Sequence, residues 1–261
     1  MAIEVFNRYE KKYMVDEATF HKLLVRLEDY MILDAYNQDH EFYNISNIYY
    51  DTPDDRLIRN SIEKPVYKEK LRLRAYGVPD LDDNVFVEIK KKYKGITNKR
   101  RTSMTLREAY DYLHKDIKPD LLQESINQQV FREIDYFKNF YGLVPKTHIT
   151  YDRRAYFEKN DGDFRLTFDT NIRSRRDHLG LELGNDGELL LENGIFLMEV
   201  KILNAAPVWF TKLMAEMQIM PASFSKYGTD YKKFVKQSLQ QEKSRQVGFN
   251  CTGFKRTTAY A

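Results

Sequence analysis

The segment that most limits what this chain can become is residues 68–92, where two β-type alternations carry charge at every second position. In KEKLRLRAY, Lys70, Arg72 and Arg74 share one parity and Leu71 and Leu73 the other; in VFVEIKKKY, Val85, Val87 and Ile89 oppose Glu88 and Lys90. Successive strand side chains point to opposite faces, so each segment has one charged and one apolar face. Alone, such a strand is most often the solvated side of an antiparallel sheet. Here the pattern recurs along most of the chain. Arg8, Glu10 and Lys12 share a face within residues 3–15, and Lys99, Arg101 and Ser103 are in register within 97–104. Arg153 follows the parity of Thr147, Ile149 and Tyr151. Arg165, Thr167 and Asp169 oppose Phe164, Leu166 and Phe168, and Glu199 and Lys201 oppose Met198, Val200 and Ile202.

Between these strands lie amphipathic helices. Asp16 is placed to cap one reaching about residue 30, with Phe20, Leu23, Leu24 and Leu27 at helical spacing. A short strand over 47–51 ends at Thr52-Pro53 and leads to a short helix around Leu57 and Ile58. Residues 106–142 read as a helical insertion, with Leu121, Leu122, Ile126, Val130, Phe131, Ile134 and Phe137 as its apolar stripe. Residues 180–194 read as a glycine-punctuated hairpin, Pro207 opens a helix bearing Phe210, Leu213, Met214 and Met217, and a last helix spans about 230–239. A sandwich burying the strands' apolar faces against each other would leave those helices without a surface to cover. A closed antiparallel barrel of α+β class, helices outside and charged faces inside, satisfies both.

Charges turned inward need counter-ions. Lys12, Arg72, Arg74, Lys90, Lys99, Arg153, Arg165 and Lys201 outnumber the in-register acids Glu10, Glu88, Asp169 and Glu199. A bound polyanion supplies the balance, and closely spaced phosphate oxygens suit Arg forks and Lys point charges better than one carboxylate would.

The bulk numbers hide this clustering: 261 residues carry 42 basic and 39 acidic side chains, for a net charge of +3. With no linker-like tract, residues 1–240 read as one domain and 241–261 as a loose polar tail. The single cysteine, Cys251, excludes an internal disulfide or a Cys-based zinc site and favours a reducing compartment, hence the cytoplasm. No apolar run is long enough to span a bilayer, and the N-terminus lacks a signal-peptide core. The five histidines have no metal-ligand spacing, and Gly77, Gly95 and Gly228 form no P-loop. ATP is therefore expected to be held by its phosphates, with little base specificity. Lys90-Lys91-Lys92 and Arg100-Arg101 raise nucleic acid as a partner, but their strand alternation argues against it. Of the 19 tyrosines that could stack on bases, Tyr49, Tyr50, Tyr151 and Tyr156 sit in strands, where aromatic enrichment is ordinary, and read as core.

Eight segments in order, RYEKKY, KEKLRLRAYG, VFVEIKKKYKG, NKRR, YDRRAYF, RLTFDTNI, LMEVKI and SFSKY, resemble the VTC-type polyphosphate polymerase domain of the triphosphate tunnel metalloenzyme (CYTH-like) superfamily. The resemblance covers residues 3–235. It implies an eight-stranded antiparallel tunnel in which basic residues hold ATP, triphosphate or polyphosphate and an acid binds Mn²⁺ or Mg²⁺. It gives phosphate-binding roles to Lys12, Arg72, Arg74, Lys90, Lys99, Arg153, Arg165 and Lys226, to which the shared parities add Arg101 and Lys201. Glu199 matches the metal-binding glutamate, with Glu10 and Glu88 as candidate second ligands. Lys12, Arg72, Arg74, Lys90, Arg153, Arg165 and Glu199 form the expected catalytic set. Where the tunnel triphosphatases open with Glu-x-Glu-x-Lys, Arg8 stands at the first glutamate position. One metal-binding carboxylate is thus replaced, which favours the polymerase branch over hydrolysis. Triphosphatase activity and non-catalytic polyphosphate binding stay open as alternatives. No SPX-like or membrane-spanning segment of the kind that accompanies the eukaryotic polymerases is recognised, which leaves room for a membrane-bound partner.

Overall fold

A computed structural model describes residues 9–159, 164–203 and 205–251. Among these residues eight strands make one antiparallel sheet: β1 (Tyr9–Asp16), β3 (Tyr43–Asp51), β4 (Tyr67–Tyr76), β5 (Asn84–Tyr93), β6 (Ile96–Thr105), β7 (Val144–Glu158), β8 (Arg165–Arg175) and β10 (Ile195–Ile202). Their order is β1-β10-β8-β7-β3-β4-β5-β6, with β2 (Met31–Leu33) added on β7 and β9 (Glu188–Leu189) on β8. The six α-helices among the described residues are α1 (Glu17–Leu27), α2 (Arg56–Ile62), α3 (Leu106–Lys115), α4 (Gln128–Tyr141), α5 (Val208–Glu216) and α6 (Lys226–Cys251).

Full closure of the barrel is not what is seen. No hydrogen-bonded ladder joins the edge strands β1 and β6 among the described residues. Side chains span the seam instead: Lys90 Nζ of β5 lies 3.0 Å from Glu10 Oε2 of β1. Charged edges of this kind also discourage pairing with other chains. The expected strand over residues 3–15 is described only from Tyr9, so Arg8 lies outside the described residues.

Local signals set most boundaries. Asp16 accepts from Thr19 N at 2.8 Å to start α1, and Thr105 and Glu108 form a reciprocal capping box at α3. The β5–β6 turn places Lys94 and Gly95 at φ 46° and 88°, the doubly left-handed geometry of a two-residue hairpin. Elsewhere the expectations shift. Leu121 and Leu122 fall in a connection between α3 and α4, and residues 180–194 are mostly irregular, with β9 alone pairing β8. The last helix starts at Lys226, four residues early, where Ser225 Oγ accepts from Gly228 N at 3.2 Å, and it continues past Gln240 to Cys251. No described helix is long and apolar enough to cross a membrane.

The outward faces bury as the alternation requires. Leu71, Leu73, Val85, Val87 and Ile89 pack under Ala109 and Tyr112 of α3 and Val130, Phe131 and Ile134 of α4. On the opposite side Leu166, Phe168, Met198 and Val200 pack against Phe20, Leu23 and Leu27 of α1 and Phe210 and Leu213 of α5. At about 25 cal/mol per Å² of apolar area, fully buried side chains of this size stabilise by roughly 1.5–3 kcal/mol each. The inward face is not uniformly charged. Ile45, Ile149 and Leu197, which share parities with Asn47, Arg153 and Glu199, form a third buried cluster with Ile172, Ile58 of α2 and Tyr227 of α6.

Candidate functional site

The inward face of β1, β3–β8 and β10, together with the start of α6, encloses a cavity of about 320 Å³. Twelve described lysines and arginines line it against two glutamates, Glu10 and Glu199. Of the residues expected from sequence, Lys12, Arg72, Arg74, Lys90, Lys99, Arg153, Arg165, Lys201 and Lys226 all reach this lining. Arg101 does not: its guanidinium stacks on the Phe86 ring at 4.3 Å instead. The sequence reading left Lys68, Lys70 and Lys92 out of the site, although each shares the parity of Arg72 or Lys90, the signal that would have found them. Tyr49 and Tyr151, read as ordinary core, also line the cavity, as does Ser225 at the base of α6.

Behind the wall the acids form two ion-pair groups. Glu88, fully buried on β5, takes Arg72 Nε at 2.7 Å on Oε2 and Lys99 Nζ at 2.8 Å on Oε1, with Arg74 Nε at 3.6 Å. Asp169 on β8 binds Arg153 through both oxygens, at 2.6 and 2.8 Å, and also accepts from Lys226. Burial alone would raise both carboxyls, but Arg72, Arg74 and Lys99 hold Glu88 well below the carboxylate range, and Arg153 and Lys226 lower Asp169. These pairs fix the guanidinium planes. Arg74 is further held by Asn47 Oδ1 at 2.9 Å and donates to Tyr151 Oη at 3.0 Å.

Glu10 and Glu199 face the cavity itself. Lys12 Nζ sits between them, 3.2 Å from Glu10 Oε1 and 2.7 Å from Glu199 Oε1, and Lys226 Nζ lies 3.1 Å from the same Glu199 oxygen. Arg153 approaches Glu199 Oε2 at 3.5 Å. Burial opposes ionisation of Glu199, yet Lys12, Lys226 and Arg153 keep it ionised far into acid, while Lys12 is raised above the usual lysine range because the two carboxylates outweigh its own burial. Where acids are fewer the sign reverses. Burial and then its cationic neighbours Lys90, Lys68, Lys12 and Arg72 push Lys70 down to about 7, burial and Arg153 push Lys201 to about 7, and burial brings Lys99 to about 8 despite Glu88.

Among the described residues no group of three or more His, Cys, Asp and Glu converges as a ready-made metal site. The donor set nevertheless fits a hard divalent ion in one respect: Glu10 and Glu199 already flank a cation, the ammonium of Lys12. Mg²⁺ is commonly held by one or two carboxylates, with the rest of its shell drawn from water and substrate phosphates. Glu88 does not fit. It lies fully buried behind the lining, out of reach of the cavity from which water and substrate phosphates would complete a metal's shell.

The whole architecture has known counterparts. Residues 7–235 match the VTC domain. The chain belongs to the VTC domain family. In sequence it is 26% identical over 202 residues, 69% of its length, to vacuolar transporter chaperone complex subunit 4 of Schizosaccharomyces pombe, and the matched part is 28% of that protein. In structure it resembles a candidate adenylate cyclase from Bacillus halodurans (TM-score 0.53, 16% identity, 85% of this chain and 96% of that one). It also resembles an adenylyl cyclase candidate from Hippeastrum described as having a dominant triphosphatase activity (TM-score 0.50, 14% identity, 87% and 96%). At these identities the structural likeness is one of fold, and it is the tunnel-type fold that the motifs of this VTC domain imply.

Proposed function

We propose that this VTC domain is a polyphosphate polymerase that transfers the terminal phosphoryl group of ATP to a growing polyphosphate chain held in the cavity. The observation that carries the reading is the charge surplus. Twelve cations line the cavity against Glu10 and Glu199, and with Glu88 and Asp169 behind the wall counted too, the described residues still carry a formal surplus of eight positive charges at full protonation. A phosphate chain offers several negative charges at the spacing that such a surface needs.

Phosphoryl transfer depends on alignment and charge relief more than on covalent participation by the protein. Arg72 and Arg74, held rigid by Glu88, orient the donor triphosphate. Lys12, Lys90, Lys99, Arg153, Arg165, Lys201 and Lys226 bind phosphates along the lumen. The roles widen to Lys68, Lys70 and Lys92, which lie on the same wall. Glu199 with Glu10 would hold Mn²⁺ or Mg²⁺, which when bound neutralises charge developing on the bridging oxygens. Accepting phosphate would draw Lys12 from between the carboxylates, and Lys90, Lys226 and Arg153 from their other contacts with them, so the step that brings in the chain also loosens the cations' hold on the acids.

Triphosphate hydrolysis is the competing reading, favoured by the fold shared with the Hippeastrum protein described as a triphosphatase. Incubation with ATP and Mn²⁺ separates the two. Long-chain polyphosphate is the expected product; free phosphate alone means hydrolysis, and neither product with retained tripolyphosphate binding means a binding module.

A further inference from the structure

Next to the cavity residues Arg74 and Arg153 lies a group of aromatic rings that the phosphate chemistry does not use. On β4, Tyr76 is the next residue of Arg74's parity; across β5, Phe86 is in register with Arg74; across β3, Tyr43 is in register with Arg153. Tyr36, from the short turn Ala35–Asn37, completes the group. The rings of Tyr36 and Tyr76 are 5.9 Å apart and within 5° of parallel, Tyr43 is 6.1 Å from Tyr76, and Phe86 meets Tyr76 edge-on at 6.0 Å. Arg101, absent from the cavity wall, covers Phe86. Tyr36 and Tyr76 are 70% and 43% exposed. Scattered exposed tyrosines are ordinary surface, but these touch one another and adjoin two cavity cations.

A strand rise of about 3.4 Å per residue sets Tyr76 roughly 7 Å from Arg74 and roughly 14 Å from Arg72 along β4. That is the order of parts in an extended nucleotide: planar base first, phosphates after it. We infer that the Tyr36–Tyr76 face is a stacking platform for the base of the nucleoside triphosphate donor, whose phosphates run past Arg74 and Arg153 into the lysine-lined part of the cavity. The inference rests on the phosphate-binding reading and adds the other half of the ligand. Stacking tolerates any base because every base has a π-face. The platform therefore distinguishes a nucleotide from bare triphosphate without selecting strongly among bases.

Isothermal titration with ATP and with tripolyphosphate, on the wild type and on Tyr76→Ala, Tyr36→Ala and Tyr76→Phe, tests it. Both tyrosines are at the surface, and melting temperatures verify that the variants fold. Each alanine variant should weaken ATP by about tenfold, within the range of one base–aromatic stack, and leave tripolyphosphate within about twofold. Tyr76→Phe should retain ATP affinity. Unchanged ATP affinity in both alanine variants, with tripolyphosphate still bound, overturns the platform alone. Failure of the wild type to bind tripolyphosphate overturns the phosphate reading and the platform with it.

Discussion

The inner surface has two parts built from the same strand alternation, and they differ in what covers them. Ile45, Ile149 and Leu197 occupy inward positions, yet they are buried in an apolar cluster joined by Ile58 of α2 and Tyr227 of α6. Asp51 ties that cover down, accepting from Leu57 N and Ile58 N at 2.8 and 2.9 Å and from Tyr227 Oη at 3.0 Å. Toward β4–β6, Lys68, Lys70, Lys90 and Lys92 line open space. Where the chain supplies its own lid the inner face is apolar and stabilises the fold. Where it does not, the face gathers like charges whose repulsion a bound anion would relieve.

Glu199→Gln should have the largest effect, because it strikes the charged part at the point where three cations converge. ATP turnover should fall by roughly a hundredfold or more, as expected on losing an electrostatic contact that acts mainly in the transition state. Tripolyphosphate binding should survive or tighten, since Lys12, Lys226 and Arg153 lose their shared partner. The ligand-free protein should lose about 3–5 kcal/mol of stability, the cost of breaking a buried pair on one side. Near-normal, metal-dependent turnover in the variant removes Glu199 from the mechanism. Leu197→Ala, two residues away in the covered part, should cost about 3 kcal/mol in denaturant unfolding through the cavity it leaves. Its tripolyphosphate affinity, measured well below the melting temperature, should stay within about twofold. A tenfold loss would mean that the two parts are not separable.

How much of this was legible in the sequence follows the same division. Alternation identified the strands, the helices' need for an apolar surface turned the charged faces inward, and nine of the ten expected basic residues do line the cavity. Parity, however, states which face a residue occupies and not what lies opposite. Ile149 and Arg153 have the same parity, and only the chain's return through α2 and α6 decides that one is covered and the other is not. Arg101 has the parity of Lys99 but finds Phe86, a cross-sheet contact two residues along the neighbouring strand from its register partner Glu88. Glu88 and Glu199 also look alike in sequence. Depth separates them: the first is wholly enclosed by its cations and the second faces the cavity. The lack of a ladder between the described parts of β1 and β6 depends on edge geometry that no local pattern encodes.

Arg72→Ala and Lys70→Gln sharpen the comparison within the charged part, because one cation has a buried partner and the other has cationic neighbours. Both should weaken tripolyphosphate by about tenfold, the loss of one charge-assisted contact. Their stabilities should diverge. Removing Arg72 strips Glu88 of a 2.7 Å partner and should cost about 1–3 kcal/mol, whereas removing Lys70 relieves repulsion and should leave stability equal or higher. Equal losses of stability in the two variants would show that Lys70 has a structural role that its surroundings do not suggest.

The smallest expected effect is a pH dependence, and its two halves have opposite sign. Burial and neighbouring cations hold Lys70 and Lys201 at about 7, and burial holds Lys99 at about 8, all below the ordinary lysine value. In the native, ligand-free protein these groups shed their protons as pH rises from about 7 to 8, while the unfolded chain keeps its protons to about 10.4. Across that window the unfolded state binds more protons, so stability of the ligand-free protein should rise with pH and should be lost as pH falls back through 7. Affinity should move the other way. A phosphate chain binds best to ammonium groups, so above pH 8 it must draw protons onto them, and each proton taken up weakens binding by up to about tenfold per pH unit. Tripolyphosphate titrations at pH 7.5 and 9, repeated in two buffers of different ionisation enthalpy, should show affinity falling severalfold with net proton uptake at pH 9. In Lys70→Gln the uptake should shrink. Proton release on binding, or affinity that rises with pH, would mean that these lysines stay charged in the empty cavity and that its surplus is balanced by groups other than those described.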